Sequence, residues 1–241
     1  NINGAIVPVL SEIITLRGKE ELWRVVSILL SLVTVVLAVL VLIIEVFAPQ
    51  VVQLVAGGAD TQTLQLATHM LRMTAPALIF MSLFAVFSGT LYALRSFSLP
   101  AFAGVVFNGS IVGVTLFLAP AVTLIPSLGH HPNLSPFIIA RPANGILVVA
   151  IGWVIGALAQ MIMQLLGLRL TRLRLTFNWQ HPALKGIVVL YAPVMFSLIM
   201  DTLIIRPFSY NLASRTGEGS IAYMNWATTL IQFPQGLVAT A

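Results

Sequence analysis

The side chains of this 241-residue chain most able to do chemistry are the few charges inside long apolar stretches. A charge in a bilayer core is costly unless it faces a cavity or a partner, so such a residue either handles an ion, a proton or a substrate headgroup, or is locked into a hydrogen-bonded set. At a helical rise of about 1.5 Å per residue, Glu45 lies roughly 30 Å beyond Val25, at the far interface, where a side chain can snorkel to water. Arg206 lies about 30 Å beyond Gly186 and reads as a headgroup contact. Asp201 lies about 22 Å along the same stretch and has no such escape. Two readings of it balance: a cavity-facing functional carboxylate, or a buried one satisfied by hydroxyls and amides. The spacing from Asp201 to Arg206 misses the three or four residues that pair side chains along an α-helix.

Uncharged polar residues form a second set. Asn108 falls in one apolar stretch, Gln160 and Gln164 stand one helical turn apart in another, and Asn225, Thr228, Thr229 and Gln232 cluster near the end of the chain. Hydrogen bonding between helices, worth about 1 kcal/mol or less per bond, explains the glutamines. The terminal cluster is denser than packing requires and suits a hydrophilic cavity wall. Gly109 with Gly113 and Gly152 with Gly156 have the spacing that lets helices approach closely, and plain packing accounts for them. Pro193 removes a backbone hydrogen bond inside a long apolar stretch and is a candidate hinge. His69, His130, His131 and His181 read as loop residues, and none belongs to a His-Glu-x-x-His arrangement. With no phosphate loop, no paired carboxylates and no cysteine, the expectation is a chain with no enzymatic chemistry, no cofactor and no metal site.

The elements that must position these residues are membrane helices. Hydrophobic residues make up 59% of the chain and charged ones 8%, against about 25% charged in soluble domains. The net charge of +5 is spread too thinly for a nucleic-acid patch. A bilayer core needs about 20 apolar helical residues. Complete spans are read at 25–44, 76–94, 99–125, 145–168 and 186–210, with a sixth from about 220 to the end. Arg17, Lys19, Arg24, Arg95, Arg169, Arg172, Arg174 and Lys185 load one set of loops, whereas Arg72, Arg141 and Arg215 load the other, so the visible chain starts on the cytoplasmic side. Between spans, residues 49–74 suggest an outer connection with a short interfacial helix, and Pro120 to Pro142 an extended outer loop. The expected fold class is an all-α polytopic membrane bundle. Residues 169–182 form a basic linker between two helical bundles, 1–168 and 183–241. Both termini look cut, so a piece of a longer protein is expected.

Several segments together resemble the MurJ (MviN) flippase family, within the multidrug/oligosaccharidyl-lipid/polysaccharide exporter superfamily. They are Ala5-Ile6-Val7-Pro8-Val9-Leu10-Ser11-Glu12, Ala48-Pro49 with Gly57-Gly58, Leu71-Arg72-Met73-Thr74-Ala75-Pro76, and Leu91-Tyr92-Ala93 with Phe97-Ser98-Leu99-Pro100-Ala101-Phe102-Ala103 and Asn108. Gln160, Gln164, Gly219-Ser220-Ile221-Ala222, Asn225 and Phe233-Pro234-Gln235-Gly236 follow in the family's order. The resemblance implies a span from the end of family helix 2 through most of helix 8, in a two-lobe exporter fold. It implies alternating-access transport of a lipid-linked cell-wall precursor through a cationic cavity, with helix 7 bending, in a multi-pass protein of the bacterial inner membrane. The implied partners are a lipid-linked saccharide, membrane lipids and envelope-synthesis proteins, with no nucleic acid.

Two departures stand out. Where the family carries Ala-Asp-Arg-Leu in helix 8, this chain has Ala227-Thr228-Thr229-Leu230, and its usual Asp-Arg pair in helix 7 is Ile205-Arg206. Two other readings therefore stay open: an exporter of another lipid-linked glycan or a hydrophobic cation, and a transport-inactive membrane scaffold.

Overall fold

The computed structural model describes residues 3–118, 145–168, 196, 200–217 and 219–240. Among them every regular element is a helix. Helix α1 spans Asn3–Ala56, α2 Thr61–Thr74, α3 Ala77–Ala93, α4 Ser98–Leu118 and α5 Gly145–Gly167. A π-helical turn, Asp201–Ile205, leads into α6, Arg206–Ser214, and α7 follows at Ser220–Thr240. Four stretches are long and apolar enough to cross a membrane: Val7–Ala56, Thr61–Ala93, Ser98–Leu118 and Ile146–Gly167. The Pro120–Pro142 loop, the 169–182 linker and most of the expected span at 186–210 lie outside the described residues.

The described residues fall into two compact units, 1–45 with 70–191 and 46–69 with 192–241. In the first, α1 is interrupted at Gly18, whose φ of 83° lies in the left-handed region that glycine enters without a Cβ clash. Leu22, Val25, Val26 and Ile28 of α1 pack with Val86, Phe87 and Leu91 of α3 and with Leu168. Leu10 and Ile13, before the break, belong to the same cluster. Val36, Val39, Leu42 and Ile43 of α1 are exposed, as suits a helix with one face on protein and the other on lipid. Buried hydroxyls are satisfied locally: Ser31 donates to the Ser27 carbonyl and Thr90 to that of Val86.

Helix α5 packs closely on α4. A Cβ added at Gly156 would stand 2.8 Å from the Phe107 carbonyl oxygen, and one at Gly152 would stand 3.2 Å from the Ile111 Cα. Among the described residues nothing stands within 4 Å of a Cβ at Gly109 or Gly113, so among them the second small-residue pair is the one that sets a helix approach. Phe107 and Trp153 meet edge to face, with centroids 5.0 Å apart. Gln164 is buried and donates from Nε2 to the Leu99 carbonyl at 2.9 Å, an inter-helix bond of the kind expected.

Three expectations need correction. Helix α1 does not end near Ile44 but runs through Pro49 to Ala56. Pro49 has no N–H for the carbonyl four residues back, that of Glu45. Arg72 supplies the missing donor from α2: its Nε reaches the Glu45 carbonyl at 3.2 Å and lies 4.0 Å from the Glu45 carboxylate. Glu45 is thus paired rather than merely snorkelling. The expected short helix exists as α2, with His69 on it and not in a loop. It continues into α3 across Ala75-Pro76, where Ala75 N–H bonds Leu71 and Leu78 N–H bonds Ala75. Pro76 caps α3, where its absent N–H costs nothing.

Arg72→Gln should destabilise the full-length protein by about 1–3 kcal/mol by orphaning the Glu45 carbonyl. That cost should shrink in a Pro49→Ala background, whose N–H can take the carbonyl back. Unfolding in detergent checks this, and equal costs in both backgrounds would refute it. Gly156→Leu should cost roughly 1–3 kcal/mol through overpacking. Gly109→Leu should cost far less in the same melts.

Candidate functional site

The second unit holds most of the polar candidates. Proline has no N–H for the carbonyl four residues before it, and at Pro207 that is the Leu203 carbonyl. The chain answers by widening one turn. Residues Asp201–Ile205 are π-helical, and the Arg206 N–H bonds the Asp201 carbonyl five residues back. Residues five apart then share a face, and Arg206 Nε meets Asp201 Oδ2 at 2.8 Å. The sequence reading that this spacing is too wide for a pair is therefore wrong, because it assumed a regular α-helix. Both side chains remain about half exposed, Arg206 at 50% and Asp201 at 43%, so the pair is not sealed in a core. The overlooked signal is Pro207 itself, one residue beyond Arg206.

Helices α6 and α7 pack on each other. Tyr210 donates its hydroxyl to Asn225 Oδ1 at 3.3 Å. Thr228 and Thr229 turn their hydroxyls back onto their own helix, to the Met224 and Asn225 carbonyls at 2.8 and 2.9 Å. Gln232 lies in α7, but its side chain falls outside the described residues, as does Pro193 altogether. Asn108 belongs to the first unit, exposed on α4, and donates to the Gly104 carbonyl at 2.8 Å. Of the candidates, then, Asp201 acquires Arg206 and Asn225 acquires Tyr210.

The α1–α2 turn docks on the end of α6. The Gly58 N–H donates to Ser214 Oγ at 3.0 Å, and Asn211 Nδ2 donates to the Leu54 carbonyl at 2.8 Å. Leu54 is in the last turn of α1, where carbonyls lack helical partners, so Asn211 acts as a cap from another helix. A Cβ at Gly58 would stand 2.5 Å from the Ser214 carbonyl oxygen, so only glycine fits. Next to this contact lies a cavity of about 600 Å³ lined by Gly58, Asp60, Thr63, Arg215 and Ser220. Asp60 caps α2, accepting from the Gln62 and Thr63 N–H groups at 3.0 and 3.1 Å. Hydrogen bonds from Thr63, first its hydroxyl and then its N–H, hold the Asp60 carboxyl below its ordinary range, so it is ionised at neutral pH. Among the described residues no cluster of His, Asp and Glu has the makings of a metal site.

A double-mutant cycle with Asp201→Asn and Arg206→Gln should give a coupling of about 0.5 kcal/mol, the modest size of a half-exposed pair. Pro207→Ala restores the N–H that an α-helical turn needs and should abolish that coupling. Undiminished coupling in the Pro207→Ala background would show that the π turn does not make the pair.

The comparisons with known proteins agree with one another. The family described as lipid II flippase MurJ matches residues 1–241. A lipid II flippase MurJ of Burkholderia cenocepacia is 30% identical over 98% of this chain and 43% of its own length. A probable lipid II flippase MurJ of Buchnera aphidicola is 26% identical over the same shares. The chain therefore spans less than half the length of these relatives. A solved structure titled lipid II flippase MurJ, inward closed conformation, superposes with a TM-score of 0.71 at 22% identity, over 100% of this chain and 45% of the other. That similarity supports the helical fold. A family match along the whole chain, on a structure whose long apolar helices suit a bilayer, identifies a multi-pass membrane protein belonging to the lipid II flippase MurJ family.

Proposed function

We propose that the full-length protein carries a lipid-linked cell-wall precursor, lipid II or a close analogue, across the bacterial inner membrane by alternating access. The observation that carries this reading is the family match over residues 1–241. The relatives' names specify lipid II. A second line of support is physical. Intramembrane charges are retained where they serve a pathway, and the Asp201–Arg206 pair is half open instead of buried.

In this reading, residues 1–168 belong to one lobe, 183–241 begin the second, and 169–182 link them. Asn108, Asp201, Asn225, Thr228, Thr229 and Gln232 are assigned to the wall of the transport cavity, and Pro193 to the bend of its helix. The Tyr210–Asn225 contact supports the assignment of Asn225, since it holds a polar side chain on an exposed part of α7. Membrane lipids surround the exposed apolar faces, and proteins of envelope synthesis are the partners this activity calls for. Transport needs no bond making, so the residues serve to bind, release and change conformation. Thr229, standing where the family carries a helix 8 arginine, favours a second reading: an exporter of the same type whose lipid-linked cargo bears a different headgroup.

The test is replacement of the resident flippase. Cells depleted of their own lipid II flippase should grow when they express the full-length protein, and lipid II should reach the outer leaflet. Membrane-inserted protein that neither restores growth nor exposes lipid II would overturn the reading, and export of a different lipid-linked glycan would select the second one.

A further inference from the structure

The α1–α2 turn and the α6–α7 turn enclose the cavity of about 600 Å³, and each brings one charge to it. Asp60 stands just before α2, and Arg215 just after α6. The two line one space without pairing with each other, since each is tied to its own element. Asp60 accepts from the Gln62 and Thr63 N–H groups, and Arg215 donates from Nε to Asn211 Oδ1 at 3.1 Å. Asn211 is anchored in turn on the Leu54 carbonyl. A carboxylate and a guanidinium held apart across a common cavity are complementary to a ligand that carries both signs of charge. Thr63 and Ser220 add hydroxyls to the wall, and the volume falls within the roughly 300–1,000 Å³ of small-ligand pockets.

The position of the cavity narrows the choice of ligand, because it lies at the level of lipid headgroups. The apolar span of α1 ends at Ala56, just before Gly58, and α7 begins at Ser220, so the cavity sits where helices leave the bilayer core. Tyr223 and Trp226 are exposed on the first two turns of α7. Tyrosine and tryptophan collect at membrane interfaces, where the ring meets acyl chains and the polar edge meets headgroups. The Tyr223 ring comes to 3.5 Å from where a Gly219 Cβ would stand, so it adjoins the cavity wall. Leu54 is exposed in the last turn of α1, and Trp226 lies about 9 Å of helix beyond Ser220. Acyl chains therefore find apolar surface next to the charged space.

We propose that this cavity binds the headgroup of a phosphatidylethanolamine molecule of the surrounding bilayer, with Asp60 taking the ammonium and Arg215 the phosphate. The guanidinium Nη groups have no acceptor among the described residues and form a planar fork that matches phosphate oxygens. A primary ammonium donates N–H bonds to a carboxylate, whereas the quaternary nitrogen of phosphatidylcholine has no N–H and phosphatidylglycerol has no cation. The bound headgroup joins the two turns by a route additional to the Gly58–Ser214 and Asn211–Leu54 bonds, so the lipid braces their docking. The inference needs the membrane location alone and stands apart from the transport reading.

The experiment adds phosphatidylethanolamine, phosphatidylcholine or phosphatidylglycerol of matched acyl chains to the full-length protein in detergent. Native mass spectrometry reads the bound lipid, and melting is followed with and without it. Wild type should bind phosphatidylethanolamine about tenfold more tightly than either of the others, the gain expected for one charge-assisted bond. It should also melt higher with that lipid. Asp60→Asn and Asp60→Ser keep a capping side chain for α2 but remove the charge, and both should bring phosphatidylethanolamine down to the level of phosphatidylglycerol. Arg215→Gln should weaken both phosphate lipids alike. Lys19→Gln, at the opposite end of α1, should leave the preference unchanged.

Wild-type protein that shows no preference for phosphatidylethanolamine overturns the proposal, as does a preference that survives both Asp60→Asn and Arg215→Gln. Equal binding of phosphatidylcholine would remove the role of the ammonium N–H groups and overturn it too. If only one of the two Asp60 variants loses the preference, the loss follows the α2 cap and not the charge, and the proposal fails.

Discussion

A backbone carbonyl that loses its helical donor must find another partner, and this structure is organised around that constraint. Pro49 orphans the Glu45 carbonyl, and Arg72 reaches across from the next helix to take it. The end of α1 leaves the Leu54 carbonyl open, and Asn211 takes it from α6. Pro207 disturbs the ladder of its own helix, and the chain re-registers by one residue into a π turn. In each case the repair brings together residues distant in sequence or side chains that a regular helix would separate.

Those repairs have consequences for the polar residues. Arg72 is drawn to α1 and, in arriving, lies beside the Glu45 carboxylate, so a backbone repair also partners a charge. The π turn does the same for Asp201 and Arg206, bringing two charges into one half-exposed pair. Packing supplies the other half of the design. Where Gly152 and Gly156 let α5 lie on the backbone of α4, Phe107 and Trp153 lock edge to face, and Gln164 can reach the Leu99 carbonyl. The polar contacts act between helices already close enough to make them.

Much of this was legible in the residues. The apolar stretches 76–94 and 145–168 correspond within a few residues to α3 and α5, because a bilayer permits few alternatives to an uninterrupted helix. Pro76 marks the start of α3, and Gly152 with Gly156 marks a close approach, each for a steric reason local to the residue. The same logic misled at Pro49, where a proline that looks like a helix end is carried through because Arg72 compensates for it. It misled again at Asp201 and Arg206. A spacing rule derived from 3.6 residues per turn cannot anticipate a turn of another pitch, although Pro207 was there to be weighed. Gly109 and Gly113 have the same spacing as the working pair yet face no neighbour among the described residues, so spacing alone does not identify a contact.

By itself the sequence determined that the chain is helical, that it belongs in a membrane, and which family it joins, because these follow from composition, period and the order of short motifs along the chain. It also made Asp201, Asn225 and Thr229 conspicuous by type in an apolar setting. Only the tertiary structure decided who partners whom. Glu45 with Arg72, Asp201 with Arg206, Tyr210 with Asn225, and Gly58 against Ser214 depend on helix register, turn pitch and distances of a few ångströms between backbones. Those quantities arise from packing many side chains at once, and no local stretch of residues specifies them.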